Sequence, residues 1–297
     1  MQETARKIEM ESIPSVPRML LKAATTRKKP RGEPEFAPLA ITARGIRADA
    51  GKLANFRDVC GFTTTDNLPL TYPHVMAFAL HLQLMLEPEF PFSPLGAVHI
   101  GNHIRQQRPL DAGEALDFEV RLGAAERVPK GYEVAIVTEV RVRDEIVWDE
   151  RSVMLLRRPG GYTEKHKTAD KGSRKETPHD AESVEWRLPA DLGRRYASVS
   201  GDYNPIHLYQ LTARPMGFRR QIAHGMWSLS RCVAHLLPDD HAGGASVDVA
   251  FKLPIFLPAT VTLVHGGKGA GEFALRDREG EKPHLTGSLA LDAGIGA

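Results

Sequence analysis

The residues best suited to chemistry lie in two short stretches, Gly201-Asp202-Tyr203-Asn204-Pro205-Ile206-His207 and, opening seventeen positions after His207, His224-Gly225-Met226. Asp202 and His207 are five positions apart. Asn204 is a good helix cap and the fixed φ of Pro205 suits a first helical position, so a helix starting there lets the loop fold the carboxylate back toward the imidazole. Such a pair can hold one water and move protons near neutral pH, because histidine titrates near about 6.5 and burial raises a carboxylate toward that range. Gly225 opens an apolar run that reads as a helix. Its N–H therefore belongs to a helix N-terminus, where unpaired amides and the dipole favour an anion such as an enolate-like oxygen. Turn chemistry explains part of the same pattern: Gly201 permits positive φ, Asp202 can form an Asx turn, and Gly225 can simply let a helix begin close to a strand. From these residues by themselves both readings stay open.

The elements that must carry these residues repeat along the chain. Met226, Leu229, Val233 and Leu236 recur at three- and four-residue steps, an amphipathic helix. The run Thr71 to Leu86 matches Ile222 to Leu237, with His74 opposite His224, and Val98 to Leu110 matches Val247 to Ala259, with Pro109 opposite Pro258. Two matches in the same order indicate a duplicated unit. Val75 to Leu86 is apolar nearly all round, so its helix should be buried on most sides. Strand-like alternation follows each helix: Glu114 to Leu156 reads as three strands with turns at Pro129-Lys130-Gly131 and near Asp144-Glu145, and the segments after Ser246 repeat the scheme. Each unit is thus expected to be an antiparallel sheet wrapped round one helix, and because a lone sheet of this kind leaves an open face, two should pair. The expected organisation is a loosely held polar arm (1–34), a first unit (35–157), a charged linker (158–183) and a second unit (184–297).

Composition bounds the function. The chain has 297 residues, 42% of them hydrophobic and 26% charged, with a formal net charge of +2, which gives no reason to expect nucleic acid as a partner. The basic residues of the linker read as solvated charge, because no aromatics interleave with them for base stacking. Cys60 and Cys232 form neither a disulfide framework nor a metal-ligand spacing. No apolar run reaches the roughly 18–20 residues of a membrane span, no signal-peptide core opens the sequence, and the chain ends in GIGA rather than a peroxisomal address. A cytoplasmic protein is the expectation.

The segment Tyr196 to Ser230 resembles the signature of MaoC-like dehydratases, the (R)-specific 2-enoyl-CoA hydratase (hydratase 2) family of hotdog proteins. It has a Tyr-Ala pair ahead of Ser-Gly-Asp-x-Asn-Pro-Ile-His, an alanine in the following helix, a Gly-Phe pair and Ile-Ala-His-Gly-Met, in order and at the family's distances. FKLPIFLPATVTL resembles the strand that follows the family's central helix. The first half resembles the degenerate N-terminal hotdog of two-hotdog members, because YPHVMAF keeps the helix start while the roughly twenty residues carrying Asp202 and His207 have no counterpart.

This resemblance implies an α+β double hotdog, two antiparallel sheets each wrapped round a central helix, with one active site per chain. It implies that Asp202 and His207 are the catalytic acid/base pair, which of them is the base being left open, that Asn204 helps hold the loop, and that the Gly225 N–H receives the thioester oxyanion. The implied reaction is reversible syn addition of water to trans-2-enoyl thioesters, giving (R)-3-hydroxyacyl thioesters, with no metal and no cofactor. The substrate would be an acyl-CoA or acyl-carrier-protein thioester. Arg214, Arg219, Arg220 and Lys252 are candidates for its phosphates, and a homodimer of double-hotdog chains is a further expectation. His224 is read as a helix-start residue outside the catalytic set, and Met226 and Cys232 as core. Two alternatives are a hotdog acyl-thioesterase, which the Asp-x-Asn-Pro-x-His spacing argues against, and a non-catalytic thioester binder, which would have no need of the dyad.

Overall fold

The computed structural model describes residues 5–292, apart from 15, 26–27, 29–31, 64 and 158–180. The expected linker therefore falls almost entirely outside the described residues. In chain order the elements are β1 (Arg6–Met10), α1 (Val16–Thr25), β2 (Leu39–Ile46), α2 (Ala50–Cys60), α3 (Tyr72–Leu86), β3 (Ala97–Gln106), β4 (Leu116–Val128), β5 (Gly131–Val142) and β6 (Glu145–Arg157). There follow β7 (Glu182–Leu188), α4 (Leu192–Ser200), α5 (Pro205–Leu208), α6 (Gln210–Ala213), a 3-10 turn (Arg214–Met216), α7 (Gly225–Leu236), β8 (Ala245–Phe251), β9 (Ala259–His265), β10 (Gly271–Asp277) and β11 (Pro283–Leu291).

The strands form one sheet in the order β1-β2-β4-β5-β6-β3-β8-β11-β10-β9-β7. On each side of the middle the strands run first, third, fourth, fifth, second: β2-β4-β5-β6-β3 in one repeat and β7-β9-β10-β11-β8 in the other. Each repeat lays its central helix, α3 or α7, between its first and second strands in the sequence. This is a double hotdog. The two expected sheets are joined edge to edge, because β3 pairs antiparallel with β8 from Gly101 opposite Ala250 to Gln106 opposite Ala245. The pairing removes the exposed edge that each sheet would otherwise present.

The central helices form the core. Leu80 and Leu84 of α3 and Leu229 and Val233 of α7 are fully buried, each contributing about 1.5–3 kcal/mol of transfer free energy. The β5–β6 turn puts Arg143 and Asp144 at φ 49° and 68°, the geometry of a tight hairpin turn whose twist matches its strands.

The described residues of the N-terminal stretch, expected to be loosely held from its polarity, dock on the first repeat. β1 pairs in parallel with β2, Met19 and Ala23 of α1 are buried, and Lys28 Nζ donates to the carbonyls of Met85 (3.2 Å), Glu87 and Phe90 (2.9 Å) at the end of α3. A few apolar positions on one helix face, together with a lysine capping a helix C-terminus, suffice to hold a stretch whose average composition is polar. Among the described residues no helix is long and apolar enough to cross a membrane.

Candidate active site

The loop between α4 and α5 is built by capping chemistry. α4 ends at Gly201, which takes a left-handed φ of 79° and donates its N–H to Ala197 O. Asp202 then turns the chain by accepting from the Asn204 amide through Oδ1 (3.1 Å). Asn204 Oδ1 accepts from Ile206 N (3.4 Å) with Pro205 at the first helical position, so α5 begins where the sequence predicts and carries His207. Gly193 of α4 allows this packing. A Cβ there would lie 2.0 Å from the His207 carbonyl oxygen, so α4 and the backbone of His207 touch with no room for any side chain.

The His207 ring is oriented by its neighbours. Its Nδ1 lies 2.8 Å from Ile222 O, and a carbonyl can only accept, so Nδ1 carries the proton and Nε2 is left with a lone pair. His224, the residue before α7, stacks on His207 with ring centroids 3.6 Å apart, and donates through Nε2 to Asp202 O at 2.9 Å. Asp202 Oδ2 lies 3.8 Å from His224 Nε2, and one ligating atom from each of Asp202, His207 and His224 lies within 4.8 Å of the others. That spacing lets one water bridge the Asp202 carboxylate and an imidazole nitrogen. The Asp202 side chain is 27% exposed while His207 and His224 are buried, so the group opens to solvent on the carboxylate side.

Burial lowers the pKa of His207, against the opposing attraction of Asp202 and the Ile222 carbonyl. Burial, and then the neighbouring His207, pushes His224 down to about 3 despite Asp202. Both rings are uncharged at neutral pH, and His207 Nε2 is available as a proton acceptor.

Gly225 is the first residue of α7, so its N–H lies in the turn that lacks intrahelical acceptors. The ring of Phe251, at the end of β8, occupies the space beside it: a Cβ on Gly225 would sit 3.0–3.3 Å from three ring carbons. The structure thus brings Asp202, Asn204, His207 and Gly225 together, as the spacing predicts. Arg214 and Lys252 are exposed and Arg220 is half-buried, on segments that flank the loop and Phe251; Arg219 lies over the Phe256 ring at 4.3 Å.

Sequence reasoning left out His224, although it contacts both Asp202 and His207; its place immediately before Gly225 was the available signal. Gly193 and Phe251 carry no local signal for their roles. A separate cavity, lined by Phe62, Leu70, Gln106, Leu237 and Ala245 among others, lies at the opposite end of α7.

Among the described residues two groups could offer ligands to a metal, Asp202-His207-His224 and His74-His81-Glu150. In each the close approaches are explained by hydrogen bonds, such as His207 to Ile222 O and His74 Nδ1 to Glu150 Oε1 at 2.7 Å.

The family model described as "MaoC like domain" matches residues 170–284. The 3-hydroxyacyl-thioester dehydratase X of Mycobacterium tuberculosis is 32% identical over 253 residues, covering 84% of this chain and 88% of that protein. The (R)-specific enoyl-CoA hydratase of Aeromonas caviae is 34% identical over 94 residues, 28% of this chain and 69% of that protein. A crystal structure of HtdX from M. tuberculosis superposes with a TM-score of 0.72 at 30% identity, covering 85% of this chain and all of that one.

Proposed function

Because the chain belongs to the MaoC-like dehydratase family and is a hydro-lyase acting reversibly on 2-enoyl thioesters, we propose that Asp202 and His207 share the catalytic water and that the Gly225 amide holds the thioester oxygen. The observation that carries this assignment is the convergence, within 4.8 Å, of the Asp202 carboxylate with a histidine whose Nδ1 is already spent on Ile222 O. In the hydration direction the water oxygen bonds to C3, and the C2=C3 electron pair moves toward the thioester carbonyl. The resulting enolate oxygen lies against the N-terminus of α7, where helix amides stabilise negative charge. The proton lost by the water, handled by the Asp202–His207 pair, ends on C2. Water adds to one face, giving the (R)-3-hydroxyacyl thioester.

The substrate is an acyl-CoA in this reading, with Arg214, Arg220 and Lys252 supplying positive charge to its phosphates. Asn204 acts by holding the loop through its cap to Ile206, and His224 is a positioning residue that fixes both Asp202 and the His207 ring. The division into a scaffold unit (35–157) and a catalytic unit (184–297), joined through 158–183, follows from the one-sided distribution of the acid/base loop. We place the enzyme in the cytoplasm, where the buried free thiols of Cys60 and Cys232 stay reduced, as a homodimer of double hotdogs.

Incubation of the purified protein with crotonyl-CoA and longer trans-2-enoyl-CoAs, following loss of enoyl absorbance and the chirality of the product, tests the reading. Hydration to the (R)-3-hydroxyacyl-CoA is the expected result. Release of free CoA without hydration would replace it with thioester hydrolysis.

A further inference from the structure

The two repeats diverge after matching glycines. Helix α4 ends at Gly201 with φ 79° and α2 ends at Gly61 with φ 77°. The chain after Gly201 builds the acid/base loop, whereas the chain after Gly61 runs directly to α3. This shorter connection is firmly held. Arg57 of α2, itself buried, donates through Nη2 to the carbonyls of Thr65 (2.6 Å) and Asn67 (2.7 Å), and Leu68 N donates to Leu110 O (2.7 Å). Thr63 Oγ1 donates to Asp239 Oδ1 (2.9 Å), which ties the connection to the chain beyond α7.

The cavity at the far end of α7, about 80 Å³ in volume, lies between this connection, the end of β3 and the end of α7. Its buried floor is apolar, with Leu68, Leu70 and Ala245, and carries one polar side chain, Gln106. Gln106 is the last residue of the β3–β8 seam, opposite Ala245. It is 7% exposed, and its Oε1 has no hydrogen-bond partner among the described residues. Buried polar atoms are normally paired, so this carboxamide lacks a partner that the fold does not supply. The rim, with Thr63, Thr65 and Asn67, is exposed and polar. A polar group on an apolar floor, reached through an open rim, is the make-up of a small-molecule site.

The chemistry of the lining selects the ligand. A carboxamide presents an acceptor and a donor side by side, so the group that answers both has an N–H beside a C=O on one edge. Primary amides and lactams have that edge, whereas the trans amide of a peptide points its N–H and C=O to opposite sides. Asp239 lines the cavity and no lysine or arginine does, so an anion finds no counter-charge there. His241 Nε2 is already spent on Gly244 O (2.9 Å). An apolar cavity of about 150 Å³ holds benzene, so this one takes a group of only a few heavy atoms.

We propose that this cavity is a second ligand site, which takes the neutral primary-amide or lactam end of a small molecule in a paired hydrogen bond with Gln106. It is separate from the hydration chemistry, since about 14 Å of helix lies between Gly225 and Ala234 on its wall.

Ligand-observed NMR titrations of propionamide, N-methylpropionamide and propionate, on the wild type and on Gln106→Leu, test the proposal. The wild type should bind propionamide with a Kd on the order of millimolar, as suits so few heavy atoms, and about tenfold more tightly than the other two. Gln106→Leu replaces an unpaired amide by apolar atoms, so it should keep the wild-type thermal midpoint and lose that preference. Excess CoA should leave propionamide bound. No binding by the wild type, equal binding of the three probes or an undiminished preference in Gln106→Leu overturns the proposal. Displacement by CoA does so too, because it puts the probe at the catalytic site. If Gln106→Leu fails to fold, the ranking of the three probes on the wild type decides, and none of these readouts depends on turnover.

Discussion

His224 and His74 stand at matching positions of the two repeats, each at the start of the central helix, and they have different neighbours. His224 donates to the Asp202 carbonyl and stacks on His207, beside a carboxylate that remains partly open to solvent. His74 hydrogen-bonds Glu150, whose side chain is wholly enclosed by the sheet and helix of its own repeat. The carboxylate near His224 arrives on an inserted loop; the one at His74 arrives on a strand. A strand side chain points into the core and is sealed there, whereas a loop side chain can sit at the rim and reach a substrate. The duplicated unit kept its packing positions, and only the second repeat carries the Asp202–His207 loop.

Removing the carboxylate from each repeat in turn should therefore have different consequences. Asp202→Asn and His207→Ala are each expected to lower kcat for trans-2-enoyl-CoA hydration by about 10²–10⁴-fold with the circular dichroism spectrum unchanged. Glu150→Gln should instead destabilise the fold by about 3 kcal/mol in urea titrations, because it breaks a buried charge-assisted network. The sign of its pH dependence follows from Glu150's depressed pKa. Burial alone would raise it, but His74, His81 and Asn102 together hold it near about 2 rather than 4.5. The stabilisation is thus fully present above pH 4.5 and is lost as the pH falls toward about 2, so the urea midpoints of wild type and Glu150→Gln should converge over that interval.

The local shape of the Asp202–His207 loop was legible in the sequence because its signals lie close together. Asn204-Pro205 caps a helix, Gly201 supplies a left-handed residue and Gly225 starts α7, each within a few positions of the residue it places. The repeat was equally legible, since periodicity survives duplication. What sequence reasoning missed is set by packing between distant segments: the β3–β8 seam that joins the sheets, the docking of α1 and Lys28 on α3, and the stacking of His224 on His207. Gly193 looks like any helix glycine until the His207 carbonyl is seen against it, and Phe251 looks like any strand aromatic until it is seen over Gly225.

Those two contacts sharpen the comparison further. Gly193→Ala should push the His207 backbone out of place and cost on the order of 10²-fold in kcat, the cost of a displacement of about 1 Å in a catalytic group. Gly225→Ala should have a milder effect, about tenfold, because the N–H remains and only its approach is narrowed. Phe251 yields as a side chain where the His207 carbonyl cannot, so Gly225→Ala combined with Phe251→Leu should recover part of the rate. Steady-state kinetics on one enoyl-CoA checks both. A Gly193→Ala enzyme with wild-type kcat would show that α4 does not hold His207.

A single water shared by Asp202 and His207 is tested by kcat for Asp202→Asn, His207→Ala and the double variant on a trans-2-enoyl-CoA. Groups that serve a single step as a unit are non-additive, so the double variant should fall no more than about threefold below the slower single variant. Losses that multiply in the double variant, or a single variant that keeps near-wild-type turnover, would show that the two residues do not act on one water.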